Sequence, residues 1–426
     1  MKEALLHYAW QYKLYYPNKL LTTTGESVEV IDSGKSNADA GPDFFNAKIK
    51  IGDTMWAGNV EVHLRSSDWL RHGHELDDAY NSVILHVVKE ADKIIYRGNG
   101  EAIPQMVLPY FTDLDERYDA LLASKTFVPC AAKFDKVPSI VLRSWQNSLL
   151  TERLEQKVRN IQTLLAANKN DWDETFYITL ARNFGMSLNG APFEMLAKSL
   201  PQSILAKHKD NLFQIEALLF GQSGLLEVVN NQEDEYVNSL RKEYAFLQSK
   251  YKLNPIDGHL WKMLRLRPVN FPHIRIAQFA ALTHQSSWLF SKIIDKPNIE
   301  HIHTLFQCDT SDYWTTHYTF ETASSPRKKP IGKTTLTVLL INTVVPFLFA
   351  YGQYRDNADL QESAIAMLEQ LPPEKNSIID GWNVLNVTVQ SAYDTQALLQ
   401  LKKCYCDEKK CLQCRIGHAV LTEIMY

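Results

Sequence analysis

The chain has no excess of positive charge: 45 Lys and Arg stand against 49 Asp and Glu, a net −4 over 426 residues. That excludes a surface that coats nucleic acid everywhere, while leaving room for a local basic groove. The first residues, MKEALLHYAWQYKLYY, lack the clean apolar run of an export signal, so none is expected. No fixed period recurs, which argues against a solenoid. PIGKTT at 330–335 lacks the glycine of a phosphate loop, because Arg327 holds that position, and nucleotide binding there is excluded. The G-x-S-x-G elbow of a serine hydrolase is missing too. Long apolar runs are nearly absent. The exception, TLTVLLINTVVPFLFAYG at 335–352, contains Asn342, Thr343 and Pro346 and is marginal for a span, so it reads as a buried core helix. A cytoplasmic protein with no membrane partner is expected; the sequence leaves oligomeric state open.

Cysteine is scarce, six in all. Cys130 and Cys308 stand alone and read as buried thiols. The other four crowd into CYCDEKKCLQC, residues 404–414. Clustered cysteines in an intracellular chain point to metal more than to disulfides. A tetrahedral site of Cys404, Cys406, Cys411 and Cys414 is expected, with zinc first and iron–sulfur second. Lys409 and Lys410 beside it, and Arg265 and Arg267 near a proline-rich elbow, are weaker candidates for phosphate contacts.

The rest divides by texture. Residues 1–135 mix short helices and strands, residues 136–400 carry helical patterns, and residues 401–426 form the cysteine tail, expected to pack on the helices. Residues 2–16 have helical spacing. SVEVIDSG, DFFNAKIKI and TMWAGNVEVHL read as three strands, the last two joined at Gly52-Asp53. SSDWLRHGHELDDAY is a short or broken helix, SVILHVV an internal strand, and KIIYRG and AIPQMVL add strands. Helical patterns then recur, broken at LNGAP, FGQSG, KLNPIDG, RPVNFP and LPPEK, giving roughly eight to eleven helices. The fold class is α+β: a helix–three strands–helix–strand core, then a mostly helical domain.

The chemistry concentrates in GPDFFNAKIKIGDTMWAGNVEVH, residues 41–63. With Ile51 facing Thr54 across the turn, period two places Phe45, Ala47, Ile49, Trp56, Val60 and Val62 on an apolar face. Lys48, Glu61 and His63 take the other face. Asp43 falls opposite Val62, on the wrong face for a regular strand, unless the pattern breaks after Pro42. His72, His74, Asp77 and His86 follow closely. Imidazole and carboxylate are common transition-metal ligands, so His63 with His72 or His74 would suggest Zn²⁺ or Mn²⁺. His86 inside VILHVV reads as a sheet histidine, and Tyr80 as core that could also contact an ion.

The element order, Pro42-Asp43 and Glu61-Val62-His63 together resemble the PD-(D/E)xK, restriction-endonuclease-like superfamily over the first ~110 residues. That resemblance implies a Mg²⁺ or Mn²⁺ ion on Asp43 and Glu61, and hydrolysis of DNA or RNA phosphodiesters. His63 stands where the family has lysine, and Lys48 is the candidate for a displaced one. The whole chain also resembles an uncharacterised bacterial domain-of-unknown-function family, which implies no activity. The alternatives are an inactive nucleic-acid- or protein-binding scaffold with a structural zinc site, and a histidine-rich metallohydrolase.

Overall fold

Alternating side chains over 44–65 form the expected hairpin, and the sheet grows from it. The computed structural model describes residues 3–37, 39–111, 113–229, 233–286 and 288–422. They divide into one unit of Met1–Trp145 with Lys402–Tyr426, and a second of Gln146–Leu401.

The first unit opens with α1 (Glu3–Gln11), which buries Leu5, Leu6, Tyr8, Ala9 and Trp10. It ends short of the predicted residue 16, because Lys13 takes a left-handed backbone at φ 54° and Tyr15 bridges to Tyr110. Six strands follow: β1 (Val28–Asp32), β2 (Lys35–Ser36), β3 (Phe44–Ile51), β4 (Thr54–Arg65), β5 (Val83–Glu90) and β6 (Gln105–Val107). Their order is β1-β3-β4-β5-β6, with β2 on β3. β1, β3 and β4 are antiparallel neighbours, while β4, β5 and β6 run parallel. Between β4 and β5 the chain crosses the sheet as α2 (Asp68–Arg71) and two 3-10 turns, His74–Leu76 and Asp78–Ser82. β5 is buried over its first six residues, as its unbroken apolar run requires. KIIYRG contributes only a bridge, Tyr96 to Ala102, and no strand.

The predicted turn is present, with Ile51 paired to Thr54 and Gly52 at φ 57°. The register is regular up to Ala47–Gly58 and slips by one residue before Phe44–Val60. Asn46 lies in that bulge at φ 57° and donates its N–H to Asn59 Oδ1 at 3.2 Å. Asparagine tolerates this left-handed conformation better than most residues. The slip buries Phe44 rather than Phe45; Trp56 keeps its predicted register against Ile49 but is 40% exposed, at the uncovered turn end of β4, so the predicted apolar face is wrong at both places.

The cysteine tail belongs to this first unit and not, as its chain position suggests, to the helical one. The physical reason is the terminal helix, Arg415–Thr422, which buries Ile416, Val420 and Leu421. It packs on α3 (Asp113–Ala123) and on the 3-10 turn Ala131–Lys136. Arg117 on α3 donates to the Leu421 carbonyl at 2.8 Å, and Tyr8 on α1 meets His418 at 2.7 Å.

The second unit is helical, reached through the long helix α4 (Ser139–Ala167). Fourteen further α-helical segments lie between Trp172 and Gln400 among the described residues, more and shorter than the roughly eight to eleven expected. LNGAP does not break its helix: Met186–Ser199 runs through with Pro192 inside, and the break falls at Gly185 instead. Lys333–Tyr354 has the length and composition to cross a membrane, and 78% of its apolar window is buried within the structure. A π-turn at Leu340–Val344 interrupts it.

Candidate metal centre

The bulge at Asn46 decides the site. Continuing the Phe44–Val60 register sets Asp43 beside Glu61, reversing the face that a regular strand would give it. Two hydrogen bonds record the meeting. The Asp43 N–H donates to Glu61 Oε2 at 3.1 Å, and the Val62 N–H donates to Asp43 Oδ2 at 2.9 Å.

Glu61 and His63 share a face, as period two requires, and the crossing segment buries both, to 3% and 2% exposure. That segment returns two more imidazoles to the sheet. Glu61 Oε1 lies 3.4 Å from His63 Nε2 and 3.3 Å from His74 Nε2. His72 Nδ1 lies 3.1 Å from His63 Nε2. One ligand atom each from His63, His72 and His74 falls within 4.8 Å of the others. His72 is exposed and His74 partly buried, so the group opens to solvent on their side.

A second layer holds these ligands in place. His86 Nε2 lies 2.9 Å from His63 Nδ1, so β5 orients the β4 imidazole from behind. The other nitrogen of His86, Nδ1, is buried without a hydrogen-bond partner. Tyr80 stacks on His74 at 3.8 Å, and buried Trp69 sets its edge against His74 and His86. Val83, Ile95 and Ile103 complete the apolar cluster around Trp69 and Tyr80. His7 on α1 was not anticipated. Its Nε2 lies 3.5 Å from Asp43 Oδ2 and 3.1 Å from the Val62 carbonyl. The available signal was the spacing of Glu3 and His7, four apart on an otherwise apolar helix.

Burial sets the protonation of the cluster. His63 is held down to about 2, first by burial and then by His86, His72, His74 and His7. His86 is held down to about 3, by burial and then His74. Both imidazoles are therefore neutral and keep lone pairs for a cation. The Asp43 carboxyl is pushed above its usual range by burial, against the opposing pull of His7 and with help from Glu61.

The three imidazoles could hold one divalent ion. Bonds of about 2.0–2.1 Å at tetrahedral angles place neighbouring ligand atoms about 3.3 Å apart. The His63–His72 contact of 3.1 Å lies on that scale, the three imidazoles fall within 4.8 Å of one another, and Glu61 lies 3.3–3.4 Å from two of them. Three imidazoles and a carboxylate favour Zn²⁺, Mn²⁺ or Fe²⁺ over Mg²⁺, which prefers oxygen ligands.

Lys48 is exposed and pairs with Ala57, well along the strand from Glu61, so it supplies no lysine here. Arg265 and Arg267 are exposed in the second unit, while Lys409 and Lys410 are exposed in the first. Of the four C-terminal thiols, Cys411 and Cys414 are buried and Cys404 and Cys406 partly so, all within the first unit.

Residues 3–377 match the family described as a protein of unknown function (DUF2851). The chain belongs to this family. No curated protein and no solved structure matches it. The family match contains the whole histidine cluster and Cys130, and ends before Cys404.

Proposed function

We propose that this chain is a metal-dependent phosphodiesterase acting on DNA or RNA, with a transition metal on Glu61, His63, His72 and His74 and with Asp43 beside it. The observation that carries the reading is the trio of His63, His72 and His74, with ligand atoms within 4.8 Å of one another, and the Glu61 carboxylate 3.3–3.4 Å from two of them, its other oxygen accepting the Asp43 N–H. The order of α1, three antiparallel strands, a helical crossing and a parallel strand supports a restriction-endonuclease-like core.

An ion held there lowers the pKa of a bound water and offsets charge building on a phosphate. The protein's own groups do the rest. Asp43 Oδ2 is engaged by the Val62 N–H, which leaves Oδ1 to hold a water or the ion itself. His7 steadies that carboxylate from the α1 side. His63, where the superfamily has lysine, is neutral and serves as a ligand rather than as a cationic stabiliser.

Cleavage of generic single- and double-stranded DNA and RNA, with Mn²⁺, Zn²⁺ and Mg²⁺ in turn, tests this. Asp43→Ala and Glu61→Ala are each expected to abolish cleavage, and Mn²⁺ or Zn²⁺ to outperform Mg²⁺. Cleavage that survives both substitutions refutes the assignment. Tight metal binding with no turnover of any nucleic acid would instead favour a scaffold or a hydrolase of other substrates.

A further inference from the structure

The stretch RPVNFPHIRIAQFAAL, residues 267–282, sets an arginine inside an apolar helix. The helix Pro272–Gln285 buries every residue from Pro272 to Leu282, Arg275 among them at 5% exposure. Burial lowers the guanidinium to about 10, which leaves it a cation at neutral pH. A buried cation is costly unless an anion faces it.

The groups that hold Arg275 are all neutral. Its Nη1 donates to Gln278 Oε1 at 3.0 Å, and its Nη2 donates to Asn270 Oδ1 at 2.7 Å and to Thr335 Oγ1 at 2.9 Å. Gln278 is fixed in turn, its Nε2 donating to the Lys329 and Pro330 carbonyls at 3.0 and 2.9 Å. The guanidinium is therefore locked in orientation. Its Nε is buried with no hydrogen-bond partner, and among the described residues no carboxylate reaches it.

This arrangement uses up acceptors and leaves donors. Asn270 and Thr335 each give their side-chain oxygen to Arg275, so an amide N–H and a hydroxyl O–H are what they still offer. Arg275, Asn270 and Thr335 line one cavity of about 400 Å³, and the exposed Arg267 lines it as well. None of the described residues that line it is acidic. Phe184, Phe193 and Val338 add an apolar wall. Two guanidiniums and spare neutral donors select an oxyanion, the apolar wall selects an organic body, and the volume suits a small molecule.

We propose that this cavity binds a small organic oxyanion, a carboxylate or a phosphate monoester on an apolar body. Arg275 and Arg267 are its charge partners, and Thr335 and Asn270 its neutral donors. The cavity lies wholly within the helical unit, so the site is independent of the histidine centre and of the proposed hydrolysis.

Isothermal titration of the full chain tests this, after metal is stripped and dialysed away so that the histidine centre takes up no anion. The probes are phenyl phosphate and benzoate, with neutral benzamide as the control. Saturable binding of at least one anion is expected, about tenfold or more tighter than benzamide, and the tighter of the two identifies the headgroup. Arg267→Ala and Thr335→Val are each expected to weaken that binding by about tenfold, and Arg275→Met to abolish it. Circular dichroism checks the fold, and if Arg275→Met does not fold, the other two variants decide. Failure of both anions to bind at millimolar concentration overturns the proposal. So does benzamide binding as tightly as the anions, or anion binding left unchanged in both Arg267→Ala and Thr335→Val.

Discussion

Glu61→Gln separates what this side chain does for the fold from what it does for a metal. Glutamine keeps the volume at this nearly closed position, and its oxygen can still accept the Asp43 N–H. It removes one negative charge from beside Asp43, whose carboxyl is already held high by burial and by Glu61. Metal-free stability is therefore expected to change by less than about 1 kcal/mol, or to rise. Metal-bound stability is different. An ion present at a hundred times its dissociation constant adds about 2.7 kcal/mol. For a unit of about 170 residues, that raises the melting temperature by roughly 5–10 °C. Losing the anionic ligand, with affinity falling about a hundredfold, leaves about 0.4 kcal/mol and a shift of roughly 1–2 °C at the same metal concentration. Differential scanning calorimetry with Zn²⁺ or Mn²⁺ reads both numbers. A Glu61→Gln variant that keeps the full metal-induced shift refutes the ligand set, as does a wild type that Zn²⁺, Mn²⁺ and Fe²⁺ all leave unmoved.

Asn46→Val forces a β-branched residue into the left-handed bulge at φ 57° and is expected to cost about 1–2 kcal/mol in urea unfolding; Asn46→Gly should be nearly neutral. Only the valine variant should also weaken metal binding, because Asp43 depends on the slip. Tyr8→Phe removes the 2.7 Å contact with His418 and is expected to cost the first unit about 1 kcal/mol in the same assay. In the helical unit, Glu216 is pushed up to about 7 by burial, against hydrogen bonds from Tyr236, Ser311 and Trp314. Its folded pKa lies above the unfolded value, so its contribution is full below about pH 4.5 and is lost as pH rises to about 7. Wild type should lose roughly 3 kcal/mol relative to Glu216→Gln across that window, measured by denaturant titration at several pH values.

Local pattern carried the hairpin, its turn at Gly52 and the shared face of Glu61 and His63, because a two-residue period depends only on neighbours. It could not carry Asp43, whose face depends on one extra residue in β3, and Asn46 in a strand is only a weak sign of a bulge. His72 and His74 stood out as a pair around Gly73, yet bringing His72 to His63 and His74 to Glu61 requires the crossing segment to fold back over the sheet. His7 and Cys130 are the stronger lesson. Each is a single polar residue in an apolar neighbourhood, which sequence alone reads as packing. The neighbours of each come from segments distant in the chain: β3 and β4 for His7, and, for the turn that follows Cys130, the terminal helix. The cysteine tail was misplaced for the same reason, since adjacency in sequence favoured the helices while the buried face of Arg415–Thr422 found α3. Tyr8 beside His7 on α1 reaches His418, close behind Cys414. The helix that supports the Asp43 carboxylate is thus tied to the terminal helix, and the packing of that helix bears on how firmly Asp43 is held.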